Sequence, residues 1–233
     1  VQTANIQDPH PYTLAQAQDA GWRWRIPLQH RAGNGYVYCS QYCSDDEALA
    51  TLMSQVEGEA VRDPWLVPFK TGMRKQLFNK NCVAIGLASG FIEPLEASAL
   101  AMVELSVQRL CDELPMTRAT MDAVARRFND DFSYRWARVI DFLKLHYALS
   151  QRDDSAYWRE HRDPATWPER LRELLPMWRL RAPARHDFGR NDEVFPSASY
   201  QYVLYGMGFR PERQAPPADR LQAAQACFDE AVR

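Results

Sequence analysis

No apolar run in the chain approaches the roughly 20 residues that a bilayer span requires, so no membrane partner is expected. Charge of one sign is missing as well. Lys and Arg number 28 against 30 Asp and Glu, which gives no bulk attraction toward nucleic acid or an anionic surface. Cysteine is scarce and unpatterned: Cys39, Cys43, Cys82, Cys111 and Cys227 form no Cys-x-x-Cys pair and no Cys/His spacing suited to zinc. That excludes a structural metal and a disulfide framework, and reduced thiols point to a cytoplasmic protein. No Gly-x-Gly-x-x-Gly is present, and glycine (10) is outnumbered by proline (15), a sign of many irregular connections. Nor does Val1-Gln-Thr-Ala-Asn-Ile6 have the build of a signal peptide. Because the first residue is not Met, it reads as a processed or truncated end.

What is there suits a globular body of one large or two modest domains: 233 residues, 46% hydrophobic and 12% aromatic. Tyr12 to Gln18 alternates roughly as an edge strand does. Gly21-Trp-Arg-Trp-Arg-Ile-Pro27 and on to His30 alternates large apolar and cationic residues, a strand burying Trp22, Trp24 and Ile26 on one face. Pro27 sets it near an edge or a strand end. Gly33-Asn34-Gly35 is a hairpin-turn signal, with Tyr36 to Tyr42 returning as the partner. Ser44 and Glu47 form a capping box for a helix with the stripe Leu49, Leu52, Met53 and Val56. Strands are expected at Leu66 to Lys70, Gln76 to Asn79 and Val83 to Ile85.

Beyond residue 92 the chain becomes helical. A helix is expected from Ser98 to about Glu113. A long amphipathic one carries Met121, Val124, Phe128, Phe132, Trp136, Val139, Leu143 and Tyr147 and stops at Asp153-Asp154. Shorter helices follow from Ser155, Pro168 and Ser197, and a last one at Asp219 to Val232 has Leu221, Ala224, Phe228 and Ala231 on one face. Strands first and helices second is an α+β pattern. It divides into a sheet-rich segment, 1–92, and a helical region, 93–233.

The stretch from Asn81 to Leu100 carries the chemistry. A strand that turns through Gly86 and Gly90 into a helix N-terminus leaves backbone N–H groups aimed outward, suited to an anion or an electron-rich oxygen. Glu93 and Glu96 lie beside that turn. Glu96 has two readings that the residues alone leave open: a site acid, or an acid that merely favours the helix dipole. For Trp22 and Trp24 the residues alone favour core filling. His10, His30, His146, His161 and His186 lie too far apart for a triad or a metal site and read as surface or packing residues.

Gly21-Trp-Arg-Trp-Arg-Ile-Pro27, continued by Gln29-His-Arg-Ala-Gly-Asn-Gly-Tyr36, resembles the signature of flavin-dependent tryptophan halogenases. Lys80 to Leu87 and Gly90-Phe-Ile-Glu-Pro-Leu-Glu96 resemble that family's second signature. Leu145-His-Tyr147, Gln151 to Ser155 and the helix Ser199-Tyr200 to Gly208 extend the likeness over nearly the whole chain, as the C-terminal half of a member. The resemblance implies part of an aromatic-hydroxylase-like FAD-dependent fold, with reduced FAD from a separate flavin reductase, oxygen and halide giving a hypohalous oxidant. It also implies an electron-rich aromatic substrate. By position it places flavin contacts at Gly86, Leu87, Gly90 and Leu100, halide-holding amides at Ser98 and Ala99, and a tunnel wall at Trp22, Trp24, Ile26 and Pro27. Glu96 falls on the acid that works with a tunnel lysine, and Phe195 on the aromatic wall beside the substrate.

Many tryptophan-acting members read Glu-Ser-Thr-Gly where this chain has Glu96-Ala97-Ser98-Ala99. The alanine suggests a branch whose substrate need not be free tryptophan, and Ala99 is strained only if its φ is positive. The tunnel lysine and the nucleotide-binding half are not in these residues, so the isolated chain is expected to be inactive. The missing N-terminal half is then a required partner, and self-association as a homodimer stays open. Two other classes compete: a flavin monooxygenase-like relative without halogenation, and a non-catalytic aromatic-binding fragment.

Overall fold

One long helix organises the computed structural model, which describes residues 1–212 and 218–231. This helix, α3 (Arg118–Ala148), runs for 31 residues and sends side chains into all three apolar clusters. Before it come nine strands: β1 (Gln2–Thr3), β2 (Leu14–Gln18), β3 (Gly21–Pro27), β4 (Ala32–Tyr38), β5 (Ala60–Arg62), β6 (Gly72–Met73), β7 (Phe78–Asn79), β8 (Cys82–Val83) and β9 (Gly90–Phe91). The helices α1 (Asp45–Gln55) and α2 (Ala99–Asp112) also precede it. After it come α4 (Ala156–Arg162), α5 (Glu169–Leu180), α6 (Ser197–Gly206) and α7 (Ala218–Ala231). The result is a mixed α and β architecture, as the α+β pattern implied.

The main sheet has the order β2-β3-β4-β1-β5, so Leu14–Gln18 is the expected edge strand. Two pairs, β6 with β9 and β7 with β8, stand apart from it. Gly33-Asn34-Gly35 is not the turn. It lies inside β4, with Gly33 opposite Ile26, Asn34 opposite Arg25 and Gly35 opposite Trp24. The chain reverses earlier, where the Leu28 N–H donates to the Arg31 carbonyl at 2.8 Å. The glycines are there for room. A β-carbon on Gly33 would sit 3.2 Å from the Trp24 ring, and one on Gly35 would overlap the indole itself. The buried face also fades along β3: Trp22 is buried, Trp24 half-buried and Ile26, next to the strand end, exposed.

Other expectations shift for similar reasons. Ser44 and Glu47 do form the capping box, but α1 buries Ala48 and Leu52 and leaves Leu49 and Met53 exposed. Leu66 to Lys70 forms no strand, and Leu66, Val67 and Phe69 are exposed. The run from Val83 leaves its ladder before Ile85, since β8 has only the two residues of β7 to pair with. α3 ends at Ala148, before Asp153. On α7, Leu221 and Phe228 are exposed, and Val232 lies outside the described residues.

Three contacts tie these parts around the Asn81–Leu100 stretch. Phe128, Phe132, Trp136, Val139 and Leu143 of α3 pack with Leu77, Phe78 and Met102. Asn129 fixes β7 to α3: its Oδ1 accepts from the Leu77 and Phe78 N–H groups at 2.8 Å, and its Nδ2 donates to the Phe78 carbonyl at 2.9 Å. The main sheet is held by Trp158, whose indole N–H donates to the Gln18 carbonyl at 2.7 Å. Farther off, Asp187 gathers Trp178 Nε1 (3.0 Å), the Ala184 N–H (2.8 Å) and the Arg181 guanidinium, which hold its carboxyl well below the ordinary 3.8, Arg181 foremost. A depressed carboxyl stabilises the fold above its unfolded value and loses that contribution as pH falls through its folded one. Asp187→Asn is therefore expected to cost about 2 kcal/mol at neutral pH and to flatten the acid-side loss. Urea denaturation at neutral pH and in acid checks both.

Candidate functional site

The turn that sequence reading singled out is built from two short 3₁₀ turns, Gly86–Ala88 and Pro94–Glu96, on either side of β9. Gly86 has φ +62°, a left-handed conformation in which glycine is unstrained. Proline opens the second turn, and Ala97 closes it at φ 48°, ψ 29°. Ser98 then caps α2. The positive φ thus falls on Ala97 and not on Ala99, and the chain accepts a left-handed β-carbon residue there at a cost of roughly 1–2 kcal/mol. Ala97→Gly is expected to be neutral or stabilising by up to about 1 kcal/mol, and Ala97→Val destabilising. Chemical denaturation of the pair settles the sign.

The reversal at Ala97 orients the first turn of α2 so that the N–H groups of Ser98, Ala99 and Leu100 have no intrahelical acceptor. Ser98 is buried, and its side chain makes no capping bond, so those amides stay available to an outside oxygen or anion. Leu100 and Leu87 present bare side chains, 81% and 79% exposed, on adjoining elements.

Glu96 is not merely a dipole partner. Its Oε1 lies 2.7 Å from Nε2 of His146 on α3. The opposite ring nitrogen, Nδ1, lies 2.9 Å from the Phe142 carbonyl, which can only accept. Nδ1 is therefore placed to donate there, which turns Nε2 toward the Glu96 carboxyl. The acid is thus oriented by a ring that is itself fixed at its other nitrogen. Oε2 of Glu96 has no hydrogen-bond partner among the described residues. In the sequence His146 has the look of a packing or surface residue. No spacing rule links it to an acid on another element, so only the fold shows the pair.

Phe195 joins the same patch. It stacks on Phe142 at 4.0 Å between ring centroids, and Phe142 meets the His146 ring edge-on at 5.2 Å. Of the residues that the resemblance assigns to a tunnel wall, Trp22 is brought in: its indole N–H donates to Glu93 Oε2 at 3.1 Å, three positions before Glu96. Tyr147 donates to the same oxygen at 2.6 Å. Trp24 lies against Gly33 and Gly35 on the next cross-strand pair, while Ile26 and Pro27 lie farther along the strand. Behind Tyr147, His161 stacks on its ring at 4.6 Å. Burial and the neighbouring Lys144 push that imidazole down to about 4, so it stays neutral and accepts from Lys144 at 2.8 Å.

A family model described as tryptophan halogenase matches residues 1–223. The chain belongs to the tryptophan halogenase family. Its sequence is 35% identical to the tryptophan 6-halogenase SttH of Streptomyces toxytricini, over 91% of this chain and 41% of that protein. The flavin-dependent halogenase BrvH of Brevundimonas sp. BAL3 superposes with a TM-score of 0.85 at 40% identity, over 100% of this chain and 46% of that one. A tryptophan halogenase of Shewanella frigidimarina gives 0.86 at 39%, over 98% and 46%. The chain thus spans less than half the length of these halogenases, and its fold is a portion of theirs.

Proposed function

We propose that this chain is the C-terminal portion of a flavin-dependent halogenase acting on an electron-rich aromatic such as an indole. One observation carries the reading. One turn sets backbone amides without intrahelical acceptors at Ser98–Leu100 next to the Glu96 carboxyl, which His146 orients, and α3 supplies aromatic side chains beside them. In this reading residues 1–92 supply the tunnel hairpin and the flavin-side turn, and 93–233 the substrate side.

Reduced FAD, with oxygen and halide, would supply the hypohalous oxidant. The residues of this chain do the rest. The Ser98 and Ala99 amides hold the halide, a task that needs no side chain and so tolerates Ala97-Ser98-Ala99. Gly86, Leu87, Gly90 and Leu100 shape the flavin edge, the leucines through backbone contacts. Trp22 and Trp24 exclude water along the path. Glu96 turns its free Oε2 toward the oxidant and the lysine that the resemblance places in the other half, while its Oε1 is fixed by His146. Such a carboxylate polarises the oxidant and receives the proton released when the aromatic ring is substituted. Phe195, stacked on Phe142, offers the ring a flat apolar face. A separate reductase belongs to this reading.

The test uses the full-length parent polypeptide with FAD, a flavin reductase and an indole substrate, in the presence and absence of chloride or bromide. Halide-dependent appearance of the halogenated ring by mass spectrometry is expected. Equal product without halide would assign the protein to monooxygenase-like chemistry instead, and aromatic binding without any product would leave a non-catalytic module.

A further inference from the structure

Three segments remote in sequence meet at one oxygen atom. Oε2 of Glu93 accepts from Trp22 Nε1 on β3 at 3.1 Å and from Tyr147 Oη on α3 at 2.6 Å. Glu93 is half-buried, yet no cation pairs with it among the described residues. Its two donors, Trp22 and Tyr147, belong to one apolar cluster with Tyr157 and Trp158, and hydrogen bonds from neutral donors offset the cost of desolvating a carboxylate. Glu93 also occupies the N-cap of the Pro94–Glu96 turn. The rigid Pro94 follows it, so any displacement of Glu93 passes into the backbone that carries Glu96. Both ends of the tether are firm. Trp22 is paired through Val37 and Ala17 in the middle of the sheet, and Tyr147 is stacked on Trp158 at 5.7 Å and on His161 at 4.6 Å.

We infer that Glu93 is a positioning residue for the halogenase reaction. Its carboxylate locks the tunnel tryptophan Trp22 to helix α3 and sets the distance between the tunnel wall and Glu96. The inference rests on the halogenase reading above. Trp158 holds the sheet to the helical region at the Gln18 carbonyl, and Glu93 adds a tie at Trp22 itself, next to the turn that carries Glu96. Loss of the tether opens the path, so oxidant escapes before it meets the ring. Gln keeps an amide oxygen able to accept both donors, and Ala does not.

The experiment compares the full-length enzyme with Glu93→Ala, Glu93→Gln and Tyr147→Phe, each assayed well below its own melting temperature. Two quantities are read: the partition between halogenated aromatic and oxidant captured by an added scavenger, and the Trp22 indole N–H resonance in nitrogen-labelled protein. Glu93→Ala is expected to shift the partition toward released oxidant by about 10-fold, with KM for the aromatic little changed and the indole resonance moved. Tyr147→Phe should shift it in the same direction by less, and Glu93→Gln should restore it to near the parent value. An unchanged partition in Glu93→Ala, even with a lower melting temperature, would reduce Glu93 to a packing role. If Glu93→Ala fails to fold, an unchanged partition in Tyr147→Phe overturns the inference equally. A Gln variant as leaky as Ala would show that charge, not the tether, matters. Absence of halogenated product from the parent enzyme itself would sink the halogenase reading, and the indole resonance would still report on the tether.

Discussion

Glu96→Gln is expected to lower kcat for halogenation by about 100-fold or more, in the range that a positioned proton-transfer group contributes, with flavin affinity nearly unchanged. The substitution is close to isosteric, and α2 and the turn keep their backbone. What it removes is the carboxyl group that faces His146 Nε2 at 2.7 Å. His146 cannot compensate, because its Nδ1 hydrogen is committed to the Phe142 carbonyl at 2.9 Å. The amide that replaces the carboxylate cannot act as a general base for the proton that the substrate ring releases. The amides assigned to the halide belong to Ser98 and Ala99 and are untouched. Steady-state halogenation beside flavin titration separates these effects, and a normal rate in the variant would remove Glu96 from the mechanism.

Gly35→Val is expected to destabilise the protein by up to about 3 kcal/mol, the upper range for overpacking, and to release oxidant to solvent. In an ordinary strand valine would be favourable, so the sign is diagnostic. Gly35 faces Trp24 across the β3–β4 ladder, and a β-carbon there would occupy the indole ring. The obstacle is a side chain, not the backbone conformation, so relief requires Trp24 to swing off the sheet. Trp24→Ala should therefore leak oxidant as well. In the double variant the clash partner is gone, so the stability losses should be less than additive. Urea denaturation of the two single variants and the double variant measures this coupling. Full additivity, or a Gly35→Val protein as stable as the parent, would mean that the indole does not lie over the glycines.

The misread glycines show where local rules stop. Gly-Asn-Gly signals a turn by its freedom at positive φ, yet the same pair of glycines is what a cross-strand tryptophan demands. Only the register of β3 against β4 tells the two apart. Ala97 is the reverse case. It looks helical beside Ser98, but the geometry that feeds α2 forces it left-handed.

Periodicity and capping are local, and they determined the strand carrying Trp22 and Trp24, the Ser44–Glu47 cap, the start of α2 at Ser98 and the long apolar stripe of α3. The spaced motifs determined the family. The tertiary structure alone decided which polar groups meet. His146 pairs with Glu96 and Tyr147 with Glu93 because α3 carries both side chains past the one turn that Pro94 opens. Hydrogen bonds between residues tens of positions apart leave no period and no fixed spacing in the chain. Their partners are chosen by packing, after the local elements have formed.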